Sequence, residues 1–256
     1  VIRPEELRWD DEDRSFTLRG WRFVTVHGGG GHGDLVPGEN CFVFYKTHAL
    51  VDQYLAYFNG LVEPLRSDNV LEIGLYQGGS MPFWFEALEP RKHVGIDIEW
   101  QRETPYFEKY ASQEGRRQRL GTHWGIDQAN PRQVAEVVEA AFGGEPIDVV
   151  IDDASHLYRE TRASFELLFP RVRPGGLYVI EDWAWYHWRG TEDDFRGQVP
   201  LTRLVFELVE ALGSNSHQLI LSMHLCSGFA AIRRGWGPRE QFEPLSLDRV
   251  IYRHPG

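Results

Sequence analysis

A chain of 256 residues that is 42% hydrophobic and 25% charged can bury a full core, in one large domain or two small ones. Its 38 Asp and Glu against 27 Lys and Arg leave a net charge of -11, which repels phosphate backbones and argues against a nucleic-acid partner. No apolar run nears the ~18 residues that span a bilayer, and two cysteines, Cys41 and Cys226, are too few for a disulfide framework and lack metal spacing.

Reduced thiols, no membrane partner and a cytoplasmic location are therefore expected. No basic-then-apolar signal opens the sequence at Val1, although a segment upstream could have been removed.

Residues 1–40 read as irregular, with one short strand in "WRFVTV" and then the loop "HGGGGHGDLVPGEN". Four consecutive glycines hold neither helix nor strand, and no Lys-Ser/Thr follows to make a phosphate cradle. Residues 41–65, "CFVFYKTHALVDQYLAYFNGLVEPL", carry apolar side chains at helical spacing and read as one or two helices. Residues 1–66 thus read as an N-terminal helical extension for substrate binding or assembly.

From residue 67 to 256 short strands alternate with helices. The strands are "NVLEIG", "KHVGIDI", "LGTHWGI", "IDVVIDD", "GGLYVIE", "HQLILSMHL" and "GFAAIRR". Between them lie the helical stretches "SMPFWFEAL", "PYFEKYASQEGRRQR", "NPRQVAEVVEAAF", "LYRETRASFELLF" and "PLTRLVFELVEALG". Alternation of this kind predicts a mostly parallel sheet covered on both faces. The last two strands have no helix between them and predict an antiparallel hairpin at one edge.

In such a sheet, ligands sit beyond the carboxyl ends of the strands, where strand order reverses. "VLEIGLYQGGS" is a first strand entering a first helix through a turn that holds Gly74, Gly78, Gly79 and Ser80. Its G-x-x-x-G-G spacing is not the dinucleotide fingerprint. Glu72 would repel a polyphosphate and welcome a cationic group. Asp97 ends the second strand, about twenty residues on, where an acid binds ribose hydroxyls. Asp127 follows the third strand and can accept from an adenine amino group. Each acid alone also reads as a loop carboxylate or a helix cap. Together they suit a ribose-bearing cation, S-adenosylmethionine.

These residues resemble the class I S-adenosylmethionine-dependent methyltransferases over roughly residues 68–235. The resemblance implies a Rossmann-like α/β fold, with a seven-stranded sheet whose last strand is antiparallel.

A second group lies in "IDVVIDDASHLYRETRASFELLFPRVRPGGLYVIEDW". The fourth strand ends in Asp152-Asp153, with His156 three residues beyond, and the fifth ends in Glu181-Asp182. Neighbouring strands run ~4.8 Å apart, so Asp153, Glu181 and Asp182 would meet at one sheet edge. Clustered carboxylates repel one another without a cation and offer hard oxygen ligands to Mg²⁺. Taken singly, Asp152 or Asp153 also reads as a helix cap and His156 as a surface imidazole.

"EIGLYQGGSM", "DDASH" and "PGGLYVIEDW" resemble metal-dependent sugar O-methyltransferases of antibiotic biosynthesis, of the mycinamicin 2''-O and rhamnosyl types. They also resemble, more distantly, the cephalosporin hydroxylase family. The resemblance implies Mg²⁺ on Asp153, Glu181 and Asp182, His156 as general base, and Asp152 on the cofactor side. It implies a sugar or glycoside acceptor, S-adenosylhomocysteine as product, and a homo-oligomer.

The aromatic run "WAWYHWRG" then reads as an acceptor wall, a lid, or a loop folded onto the core. Three other functions stay open: a metal-dependent catechol or phenol O-methyltransferase, a cephalosporin-hydroxylase relative of different chemistry, and an inactive cofactor-binding partner.

Overall fold

The first strands are the shortest. Leu7–Trp9 (β1), Ser15–Leu18 (β2), Trp21–Thr25 (β3) and Phe42–Phe44 (β4) form a four-stranded sheet in that order. β1 to β3 are antiparallel neighbours, and β4 lies parallel to β3. The computed structural model describes residues 1–10, 14–25, 36–100, 103–113, 115–190, 193, 195–214 and 218–253. The four-glycine run at 28–31, expected to be a loop, lies outside them. Residues 1–66 are thus not simply helical. Phe16 and Leu18 alternate with Trp21 and Phe23 across a turn in which Arg19 and Gly20 both have positive φ, 48° and 86°. Two such residues between alternating apolar runs form the hairpin turn that matches strand twist. Residues 42–44 are strand because Phe42 and Phe44 point to one buried face.

One helix follows, His48–Asn59 (α1), capped at Thr47, whose hydroxyl accepts from the Leu50 amide. The main sheet begins at Asn69–Ile73 (β5) and continues through Lys92–Asp97 (β6), Leu120–Trp124 (β7), Ile147–Asp152 (β8), Val172–Glu181 (β9), Ile220–Leu225 (β10) and Phe229–Arg234 (β11). Ser80–Leu88 (α2), Pro105–Ala111 (α3), Pro131–Phe142 (α4), Tyr158–Leu168 (α5) and Thr202–Gly213 (α6) connect these strands, and Leu247–Val250 (α7) closes the chain.

The strand order is β10-β11-β9-β8-β5-β6-β7, with β11 antiparallel to both its neighbours and the other six strands pointing one way. The antiparallel β10-β11 hairpin lies at one edge of the sheet, as expected, with β11 inserted between β9 and β10. Each predicted strand of this sheet is present within one to three residues. α3 is shorter than the helical stretch that contains it, because the chain turns at Ser112 and reaches Gly115 at φ 77°.

Two cores flank the sheet. Leu71 and Ile73 face α4, α5 and α6, while Val70 faces α2 and the N-terminal strands. α2, "SMPFWFEAL", is apolar nearly all round, and residues 81–88 are all buried. A helix of that kind needs cover on both sides, and the small sheet supplies it. Phe44 sits 4.8 Å from Phe83 of α2, and Phe16 stacks on Phe23 at 4.8 Å. Each such ring contributes about 1.5–3 kcal/mol on burial, so β1 to β4 are packed into the main core. Among the described residues no helix is long and apolar enough to cross a membrane.

Candidate active site

Strand order reverses between β5 and β8, and their carboxyl ends open a cavity of about 300 Å³ there. Its floor is Ile73, Gly74, Ile96, Ile126 and Ala154, an apolar bed for a flat ring. Asp97, Glu99, Asp127, Asp153 and Glu160 also line it, and among the described residues no Lys or Arg does. A lining of that charge favours a cation and disfavours a polyphosphate.

Asp97 is nearly buried. Its Oδ2 accepts from the amides of Leu75 (2.6 Å) and Tyr76 (2.8 Å), and its Oδ1 from that of Glu99 (2.8 Å). The acid read as a ribose ligand thus also holds the glycine turn in place. Asp127 lines the cavity and caps the next turn through the Ala129 amide, 2.8 Å away.

Of the other residues read as cofactor ligands, Gly74 reaches this cavity and the rest lie elsewhere. Gly74 (φ 91°) lines the cavity, but a Cβ there would stand 2.2 Å from the Asp153 carbonyl oxygen, so its bareness lets β5 and β8 approach at their ends. Gly79 serves a similar purpose: a Cβ would lie 1.7 Å from the Val43 carbonyl oxygen. The close neighbour is the N-terminal strand, not a ligand. Gly78 is buried beside Phe107 and does not line the cavity.

Glu72, expected to meet a cationic ligand, is instead buried in mid-sheet. It accepts from the Ser80 hydroxyl and lies 3.1 Å from His93, a buried imidazole that the sequence reading passed over. Ser80 lines a neighbouring cavity of about 40 Å³ with Val43, Tyr45, Lys46, Tyr76 and Asp153.

The acid pairs at the ends of β8 and β9 are each divided. Asp152 accepts from Tyr178 (2.6 Å), Ser164 (2.8 Å) and Gln128 (3.3 Å) inside the core, and burial pushes it up to about 6 in spite of those bonds. It does not line the cofactor cavity, because strand alternation sends it under α5. Asp153 points to the site.

Glu181 is buried and Asp182 follows it with φ 48°. Asp153, His156 and Asp182 bring one donor atom each within 4.8 Å of one another. His156 Nε2 is 3.9 Å from Asp153 Oδ1, and its ring meets that of Trp185 edge-on at 4.8 Å. His156 (φ 55°), Asp182 (φ 48°) and Tyr76 (φ 50°) hold left-handed backbones that cost non-glycine residues energy. Three such residues lie around this one site.

Sequence reading missed Lys46. Its ammonium is buried between Asp153 Oδ2 (2.8 Å) and Glu181 Oε2 (2.6 Å). Burial alone would lower its pKa, but the two carboxylates outweigh that and raise it, so it is charged. Burial, then the Asp153 charge, pushes Glu181 up to about 8, with Lys46 acting against the rise. One signal for Lys46 was present: "FVFYK" places Phe42, Phe44 and Lys46 on one face at strand period.

Within residues 183–188, Trp185–His187 form a short 3₁₀ turn. Trp183 donates to the Cys226 carbonyl, Tyr186 packs on Phe195, and His187 lies 3.0 Å from the Thr202 hydroxyl. Trp185 is the ring turned to the site. Tyr158 faces inward and donates to Glu207.

The sequence over residues 71–183 matches the methyltransferase domain family. The seven-stranded sheet around that segment has the α/β methyltransferase fold.

The chain is 40% identical over 153 residues to demethylmacrocin O-methyltransferase of Streptomyces fradiae, covering 56% of this chain and 35% of the other. Mycinamicin VI 2''-O-methyltransferase of Micromonospora griseorubida is 39% identical over 129 residues, covering 47% of this chain and 28% of that one. The MycE methyltransferase of the mycinamycin pathway, solved in complex with Mg, SAH and mycinamycin VI, superposes with a TM-score of 0.52 at 27% identity. That match covers 74% of this chain and 49% of MycE. The chain thus spans about a third of the length of these curated relatives and half of MycE.

A divalent ion fits the residues present. Asp153 and Asp182 supply hard oxygens on facing strand ends. Glu181 Oε1 and the Tyr54 hydroxyl are both buried without a well-formed hydrogen bond, although each group influences the other. A cation-bearing nucleoside likewise fits the acid-lined cavity beside them.

Proposed function

We propose that the chain is an S-adenosylmethionine- and Mg²⁺-dependent O-methyltransferase acting on a sugar hydroxyl of a glycosylated natural product. The observation that carries this reading is one continuous edge: the acid-lined cavity shares Asp153 with the group formed by Asp153, His156 and Asp182. Methyl donor and acceptor would thus meet at one residue. Relatives whose names specify a sugar, a rhamnosyl tetracenomycin-C 2'-O-methyltransferase and an L-olivosyl-oleandolide 3-O-methyltransferase, support the acceptor class.

In this reading Gly74, Asp97 and Asp127 bind the cofactor, with Asp97 positioning the turn. Glu72, Gly78, Gly79, Ser80 and Asp152 act behind it, by fixing the turn and the strand ends. Asp153 and Asp182 would hold the divalent ion, and Glu181 stands beside them on Lys46. Bound there, the ion supplies positive charge where an alkoxide develops. A hard ion prefers the oxygens, which leaves the imidazole of His156 free to take the hydroxyl proton. Trp185 braces that imidazole and offers a ring to the apolar face of a sugar. Residues 1–66 contribute the opposite wall through Val43, Tyr45 and Lys46.

Labelled methyl transfer to a panel of deoxysugar glycosides and catechols tests the reading. Glycoside products support it; preference for catechols would replace it with the phenol O-methyltransferase reading.

A further inference from the structure

Lys46 is unusual in three respects. Its side chain is 2% exposed, it lies in the connection between β4 and α1, and its ion pairs join residues 107 and 135 positions away. Among the described Lys and Arg side chains, it alone is paired with Asp153 or Glu181. We propose that Lys46 is a resident counter-ion that competes with the divalent cation for this carboxylate cluster and holds its metal affinity down. The inference rests on the reading of Asp153 and Asp182 as the metal seat.

The physical argument is charge economy at short range. Asp153 Oδ2 already meets an ammonium at 2.8 Å, and its other oxygen is the one nearest His156. A divalent ion arriving on Asp153 would stand within a few ångströms of that ammonium in a partly dry site, where like charges repel strongly. It must either tolerate this repulsion or displace Lys46 from Asp153. In both cases the cation pays in affinity. Loss of the ammonium removes the repulsion and also frees Glu181 Oε2 as a further oxygen. A lysine that only neutralised buried acids for folding would have the opposite effect, since its removal would disorder the strand ends.

The probe is Mn²⁺ alone, titrated into the full chain and followed by the EPR signal of the free ion. Wild type is compared with Lys46→Met, and Glu181→Gln with the double variant Lys46→Met/Glu181→Gln. The second pair has no unpaired buried carboxylate at 181, so it decides the matter if Lys46→Met alone does not fold. S-adenosylhomocysteine binding reports folding in each. The expected result is Mn²⁺ binding at least tenfold tighter in each Lys46→Met form than in its parent, and loss of the site in Asp182→Asn. Equal or weaker binding in a folded Lys46→Met form, with wild type binding Mn²⁺, would overturn the role of Lys46 and leave the metal seat standing. Absence of site binding in every form would overturn the metal seat, and this inference with it.

Discussion

The cavity at the ends of β5, β6 and β7 and the cluster at the ends of β8 and β9 are built on different principles. The first is shaped by backbone: Asp97 spends its carboxylate on three amides, and glycine lets strand ends close up. The second is shaped by side-chain charge around one ammonium, with left-handed residues His156 and Asp182 holding the groups in place. Binding can be preformed by local chain geometry, whereas acid-base and metal chemistry needs charges gathered from distant parts of the chain. A change in the first half should therefore act on cofactor affinity and stability. A change in the second should act on turnover.

The largest expected effect separates the halves most sharply. Asp182→Asn should lower methyl transfer by on the order of 10³-fold, since a metal's charge stabilisation amounts to several kcal/mol. Cofactor affinity by calorimetry should stay within a few-fold. A parallel loss of both would erase the distinction. His156→Ala should lower kcat by about 10²–10⁴-fold with cofactor binding intact, the range for a general base; unchanged turnover would remove it from that role.

Gly79→Ala tests the backbone half. Its Cβ would collide with the Val43 carbonyl oxygen, so a loss of about 3 kcal/mol or more is expected. In a chain of this size that is a fall of roughly 6–12 °C in Tm. Asp97→Asn should weaken S-adenosylhomocysteine binding about 10-fold or more, because hydrogen bonds to a charged acceptor contribute about 1.5–3 kcal/mol each. Trp185→Ala should be mildest, raising acceptor KM a few-fold with cofactor affinity unchanged.

Much of this was legible in the sequence, and the limits have physical causes. The strands from Asn69 onward announce themselves by apolar runs between turns, because a parallel sheet is buried on both faces. β1 to β4 are three to five residues long, and their hairpin signal lay in "LRGW" at residues 18–21, where Arg19 and Gly20 take positive φ. Asp153, His156 and Asp182 were found because local order puts them at strand ends. Glu72 was misplaced because its partner, His93, belongs to the neighbouring strand. Lys46 was missed for the same reason, magnified: the strand period of "FVFYK" puts it on the face of Phe42 and Phe44, but its partners are set by tertiary structure. The glycines were noticed for a ligand, yet Gly79 makes room for β4.

The most direct measurement is methyl transfer to a deoxysugar glycoside after EDTA treatment, followed by a Mg²⁺ titration of wild type and Asp182→Asn. The account predicts that EDTA abolishes transfer, that Mg²⁺ restores it in wild type, and that Asp182→Asn stays inactive while still binding S-adenosylhomocysteine. Transfer that persists in EDTA, or an Asp182→Asn enzyme as active as wild type, would contradict it.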